Sequence, residues 1–141
     1  MIYLLDTDVF TLAHLGRHGL RERIAAARGS DDVAVSVVTR IEVLRGRFEA
    51  VVKAANGAAV LRMQELLLAS ETFMSTFRLL SFDAVAVRAF DRLRADKAAR
   101  RTDRNDLLIA CVALASGATL VTQNTKDYAN VPGLKLENWA D

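Results

Sequence analysis

Ile2-Tyr3-Leu4-Leu5-Asp6-Thr7-Asp8 places four apolar residues in a row and then, at once, an acid. An uninterrupted apolar run this short is the mark of a strand covered on both faces, as in a parallel sheet. A carboxylate directly behind such a strand is costly unless it stands at a crevice and has partners. The opening therefore predicts a strand buried on both faces and a functional Asp6 together.

Working outward, residues 9–28 read as helical with an interruption near Gly16–Gly19. Residues 33–37 are short and rich in valine, a second strand. Helical pattern resumes from Thr39 to about Ala54, and a long amphipathic segment runs from Gly57 to Phe77. Leu79-Leu80-Ser81-Phe82 is a third strand. Asp83 caps a helix to about Ala99, and a further helix from about Arg104 to Ser116 is stopped by Gly117. Thr119-Leu120-Val121-Thr122 and Leu134-Lys135-Leu136 complete the strands. This alternation predicts one α/β domain over residues 1–141. Its three layers, α/β/α, enclose a mostly parallel sheet of four to five strands. In such sheets the functional crevice lies beyond the carboxyl ends of the strands.

Composition fits that reading. The chain has 141 residues, 52% apolar and 26% charged, enough for a core without disulfides. Nineteen Lys+Arg against 17 Asp+Glu give a net charge of only +2, so bulk charge does not announce nucleic acid. The local run Lys97, Arg100, Arg101 and Arg104 is more suggestive, because a guanidinium grips phosphate with two parallel bonds. An ordinary solvated basic loop is the alternative. Cys111 sits in an apolar run and reads as a buried thiol. Neither a basic leader nor an 18-residue apolar stretch is present, which predicts a soluble cytoplasmic chain with no membrane association.

The acids at the expected strand ends are Asp6 and Asp8, Glu42, Asp127, and the pair Asp103 and Asp106 at a helix start. Carboxylates that cluster repel one another. A hard divalent cation relieves the repulsion, and can bind a phosphodiester and activate a water. Each acid also has a local explanation. Thr39-Arg40-Ile41-Glu42 matches a capping box. Asp103 and Asp106 are both placed to cap the following helix. His14 and His18, four apart, would share a helix face but lack a third ligand.

Four segments together resemble a known family. These are Leu4-Leu5-Asp6-Thr7-Asp8, residues 36–43, Asn105-Asp106-Leu107-Leu108-Ile109-Ala110 and residues 120–128, in the order found in PIN-domain proteins. The ending from Val131 to Trp139 is similar to the tail of the VapC toxin branch. The resemblance implies a metal-dependent endoribonuclease toxin that hydrolyses structured RNA, transfer or ribosomal. It also implies a homodimer silenced by a VapB-like antitoxin. Carried over position by position, Asp6, Glu42 and Asp106 match the family's first three acids and would hold Mg2+ or Mn2+. Asp127 or Asn124 takes the fourth place. Ser36 and Thr122 become hydrogen-bond partners of the acids, Asp103 and Asp8 auxiliary acids, and Arg100, Arg101 and Arg104 contacts to RNA phosphates.

Two other readings fit parts of the same pattern. Asp6-Thr7-Asp8 after a buried strand is similar to the nucleophile pair of haloacid-dehalogenase phosphatases, although Phe10 departs from that motif. A catalytically inactive PIN-type binding module is the other.

Overall fold

The computed structural model describes residues 1–140. The elements run β1 (Ile2–Leu5), α1 (Thr7–His14), α2 (Leu20–Arg28), β2 (Asp32–Ser36), α3 (Val37–Val52), α4 (Gly57–Met74) and β3 (Arg78–Leu80). After these come α5 (Ala84–Ala95), α6 (Arg104–Ser116), β4 (Thr119–Val121) and β5 (Lys135–Glu137). Two 3-10 turns, Ala99–Arg101 and Thr125–Tyr128, flank α6 and β4. The strands form one sheet of order β3-β2-β1-β4-β5, and all four pairings are parallel. The expected three-layer α/β architecture is thus present, with a sheet that is wholly parallel.

Side chains alternate across the sheet, so each strand feeds two cores. Leu4, Ala34 and Leu120 pack against α5 and α6 through Ala86, Ala89, Leu93, Ile109 and Val112. Leu5, Val33, Val35 and Val121 face the other way, onto Val9, Phe10, Leu20, Ile24 and Met74. Leu4 and Leu5 are both fully buried, each contributing about 1.5–3 kcal/mol of transfer free energy. Hence the opening run has no polar face. Cys111 is fully buried and its thiol is pushed up to about 11 by that burial, which fits a packing role.

Several boundaries differ from the sequence reading. The helical stretch expected over 9–28 begins two residues early, at Thr7, and its expected interruption is present: Gly16, His18 and Gly19 all adopt positive φ between α1 and α2. His18 therefore lies in a turn outside α1, and the shared helix face expected for His14 and His18 does not exist. Helix α3 starts at Val37, two residues early, since Ser36 rather than Thr39 is its cap: the Thr39 N–H donates to Ser36 Oγ at 3.1 Å. Helix α4 ends at Met74. Gly117 closes α6 with φ of 65°, the left-handed conformation expected of a terminating glycine. Among the described residues no helix is long and apolar enough to cross a membrane.

Candidate active site

The strand order reverses direction at β1, the middle strand, with β2 on one side and β4 on the other. Loops leaving the carboxyl ends of these strands diverge and open a crevice there. Asp6 follows β1 at this point. It is 4% exposed and caps α1, its Oδ1 accepting the Val9 N–H at 2.9 Å. Burial pushes its carboxyl up to about 6, with the charges of Asp8 and Asp106 adding to the rise; bonds from Thr122 and the Val9 backbone oppose it. The Asp6 N–H is bound to the Val121 carbonyl at 3.0 Å, so β4 fixes its backbone.

Glu42, one and a half turns into α3, has both oxygens held. Thr7 Oγ1 donates to Oε1 at 2.7 Å and Asn105 Nδ2 donates to Oε2 at 3.1 Å. The capping-box alternative for Glu42 is thereby removed. Thr7 spends its only proton on Glu42, so in its 3.0 Å contact with Thr39 the Thr39 hydroxyl must be the donor. Ser36 Oγ in turn donates to Thr39 at 3.4 Å. Three buried or half-buried hydroxyls form a chain that ends on Glu42.

Asp106 lies in the first turn of α6, half-buried, and accepts from the Tyr128 hydroxyl at 3.2 Å. Burial raises its carboxyl, and the charges of Asp103, Asp127 and Glu42 raise it further against the lowering bond from Tyr128. Tyr128 is itself buried, and burial beside the acids drives its hydroxyl pKa upward, so it remains a donor. Asp103 occupies the cap position of α6 without making a side-chain cap bond, so it keeps its oxygens free of the helix.

The rivals for the fourth position turn out to serve different neighbours. Asn124 Nδ2 reaches Asp8 Oδ2 at 3.4 Å and its N–H donates to Thr122 Oγ1 at 3.0 Å. Asp127, exposed in the following 3-10 turn, acts on Asp106 through its charge. Thr7, Asn105 and Tyr128 were not singled out from sequence. Of the basic residues, Arg100 and Arg104 line a common groove beside α6, and Arg101 is exposed outside it.

The structure thus brings Asp6, Asp8, Glu42, Asp103, Asp106 and Asp127 into one electrostatic neighbourhood. Among the described residues, however, no three His, Cys, Asp or Glu side chains are gathered to hold an ion as they stand. The donors are hard oxygens whose charges raise one another, and that chemistry fits a hard divalent cation.

A family model for the PIN domain matches residues 3–134. The chain belongs to the PIN domain family. Among curated PIN relatives, it is 29% identical to Ribonuclease VapC2 of Rickettsia felis, over 99% of this chain and 98% of that one. It is 27% identical to the tRNA(fMet)-specific endonuclease VapC of Salmonella typhimurium, over 97% of each. In three dimensions it matches a crystal structure of VapBC2 from Rickettsia felis bound to a promoter DNA fragment. The TM-score is 0.80, the identity 28% and the coverage 99% of both chains. With PIN membership shown, the phosphatase reading of Asp6-Thr7-Asp8 falls away.

Proposed function

We propose that this PIN domain is an endoribonuclease toxin of a toxin–antitoxin pair, cutting structured RNA of the transfer or ribosomal class in the cytoplasm. The observation that carries the reading is the convergence of acids from four separate chain segments on the carboxyl ends of β1, β2 and β4, with Asp6 and Asp106 both raised by burial and, to a smaller extent, by their neighbours' charge. Such repulsion is retained where it serves a site. Asp6, Glu42 and Asp106 would hold Mg2+ or Mn2+, with Asp127 at the margin. When bound, the cation supplies Lewis-acid activation of a water and of the phosphodiester.

The protein's own groups prepare that site. Thr7 and Asn105 fix the Glu42 carboxylate, and Tyr128 fixes Asp106. Thr122 and the Val9 N–H fix Asp6 and hold down its pKa. No histidine competes as a base: His14 stacks on Phe73, and the charges acting on it come from Arg47 and Arg21. Thr7→Val is expected to lower kcat roughly tenfold by freeing one Glu42 oxygen, the scale of one charge-assisted hydrogen bond, and Thr7→Ser to restore it. An unchanged kcat in Thr7→Val would remove the hydroxyl chain from the mechanism.

Partner binding rests on the α3–α4 pair. Helix α4 has only Ser70 and Met74 buried, leaving Leu61 and Leu68 exposed, while α3 exposes Ile41 and Phe48. A groove of about 500 Å³ lies along Val37, Ile41, Leu44 and Phe48. Apolar surface of this kind suits a second copy of the chain and a VapB-like antitoxin. Induced expression should arrest growth and add new RNA ends at a few sites, both suppressed by Asp106→Asn or by the antitoxin. The purified chain should elute as a dimer. RNA ends identical in wild type and Asp106→Asn would overturn the ribonuclease reading, and elution as a single chain would overturn the dimer.

A further inference from the structure

Between α5 and the start of α6 there is a basic groove of about 260 Å³, lined by Phe90, Arg94, Arg100, Thr102, Arg104 and Leu107. Two guanidiniums converge on one ring: Arg94 lies 5.6 Å and Arg104 5.3 Å from the Phe90 centroid. Arg100 brings a third positive charge to the same groove. Among the described residues the salt bridges are Met1–Asp31, Arg23–Glu137 and Arg78–Asp32, so none of these three arginines has an acidic partner. Three like charges around one groove repel, and an anion placed between them removes the repulsion.

Two further features call for an acceptor-rich ligand. Thr102 lines the groove, is 8% exposed, and its Oγ1 has no hydrogen-bond partner among the described residues. An unpaired buried hydroxyl is rare, and a turn about its Cα–Cβ bond exchanges hydroxyl and methyl. The first turn of α6 also has no side-chain cap bond, which leaves backbone N–H donors at the start of this 13-residue helix.

We propose that the groove is a phosphate subsite for the RNA strand, gripping a backbone phosphate next to the scissile one. This rests on the ribonuclease reading. Arg94 and Arg100 donate in pairs to the phosphate oxygens, the Thr102 hydroxyl supplies a neutral donor, and Arg104, held over the Phe90 ring, adds its charge. Arg94 and Thr102 thereby become positioning residues, while Arg101 lies outside.

The test is titration of the full chain with a labelled single-stranded RNA in EDTA over a range of salt. Each arginine removed is expected to reduce the slope of log K against log salt by about 0.7. Arg94→Gln with Arg100→Gln should weaken binding roughly tenfold or more, the loss appearing in KM rather than kcat when Mg2+ is restored. Arg92→Gln, on the same helix outside the groove, should bind like wild type. Thr102→Val should bind more weakly without melting earlier, since the hydroxyl has no partner to lose. A double variant with wild-type slope and affinity overturns the subsite, and so does an equal loss in Arg92→Gln. If inorganic phosphate protects the wild type from heat but the double variant binds RNA normally, the groove takes a free anion and the RNA subsite is overturned. Failure of the wild type to cut any RNA would instead sink the ribonuclease reading, and the titration would still decide the groove.

Discussion

Asp6→Asn is expected to lose cleavage by about 100- to 1,000-fold or more and, in the absence of divalent cation, to melt at a higher temperature than the wild type. The second half follows from burial. The Asp6 carboxyl rises from 3.8 to about 6 in the folded chain. Its proton is therefore held more tightly folded than unfolded, and stability falls as pH rises from about 4 to about 6. Above that window the full shortfall is present, about 2–4 kcal/mol from a shift of this size. Asparagine carries no charge and escapes it. Its Oδ1 can still accept the Val9 N–H, and its Nδ2 can donate to Thr122. A gain of roughly 5–15 °C at pH 7 is expected, vanishing near pH 4. Thermal melts at both pH values check the sign. A variant that melts lower at pH 7 would mean that Asp6 is structural, and full activity would remove it from the site.

Removing divalent cation with EDTA should stop cleavage, and Mg2+ or Mn2+ should restore it. A readout independent of cleavage is available, because an ion that binds only the folded chain stabilises it. At a hundredfold excess over Kd the gain is about 2.7 kcal/mol. Wild type should gain, whereas Asp6→Asn and Asp106→Asn should not. Protons compete for the raised Asp6 carboxyl, so the gain should shrink below about pH 6. Undiminished cleavage in EDTA would exclude metal participation.

How much of this was legible in the sequence varies residue by residue. The first strand and its acid stand out because a run of four apolar residues has no solvent face, although the cap that Asp6 provides to α1 was not read from the sequence. Glu42 was ambiguous, since Thr39 and Glu42 spell a capping box equally well. Only the folded chain shows Ser36 taking the cap, which leaves Glu42 free to meet Thr7 and Asn105. Those partners lie 35 and 63 residues away, and no local pattern encodes such a contact. Tyr128, 22 residues beyond Asp106, is hidden for the same reason. Asn124 and Asp127 are competitors because the resemblance allows an acid at either place for the fourth position. Asn124, at the start of the 3-10 turn, reaches Asp8, whereas Asp127, within it, acts on Asp106 through its charge. The histidine spacing misled because it assumes a continuous helix, and positive φ at Gly16, His18 and Gly19 breaks it.

The central position of β1 also has a meaning in time. Its partner β4 begins at Thr119, and the contact from Asn124 to Asp8 spans 116 residues. A chain growing on the ribosome at roughly 5–20 residues per second therefore carries Asp6 and Glu42 for several seconds before anything can complete their pocket. Pairings between distant segments also close slowly. A copy that ends before β4 lacks the strand whose Val121 carbonyl holds the Asp6 backbone, so the acid pocket is completed only when the last strands have been made.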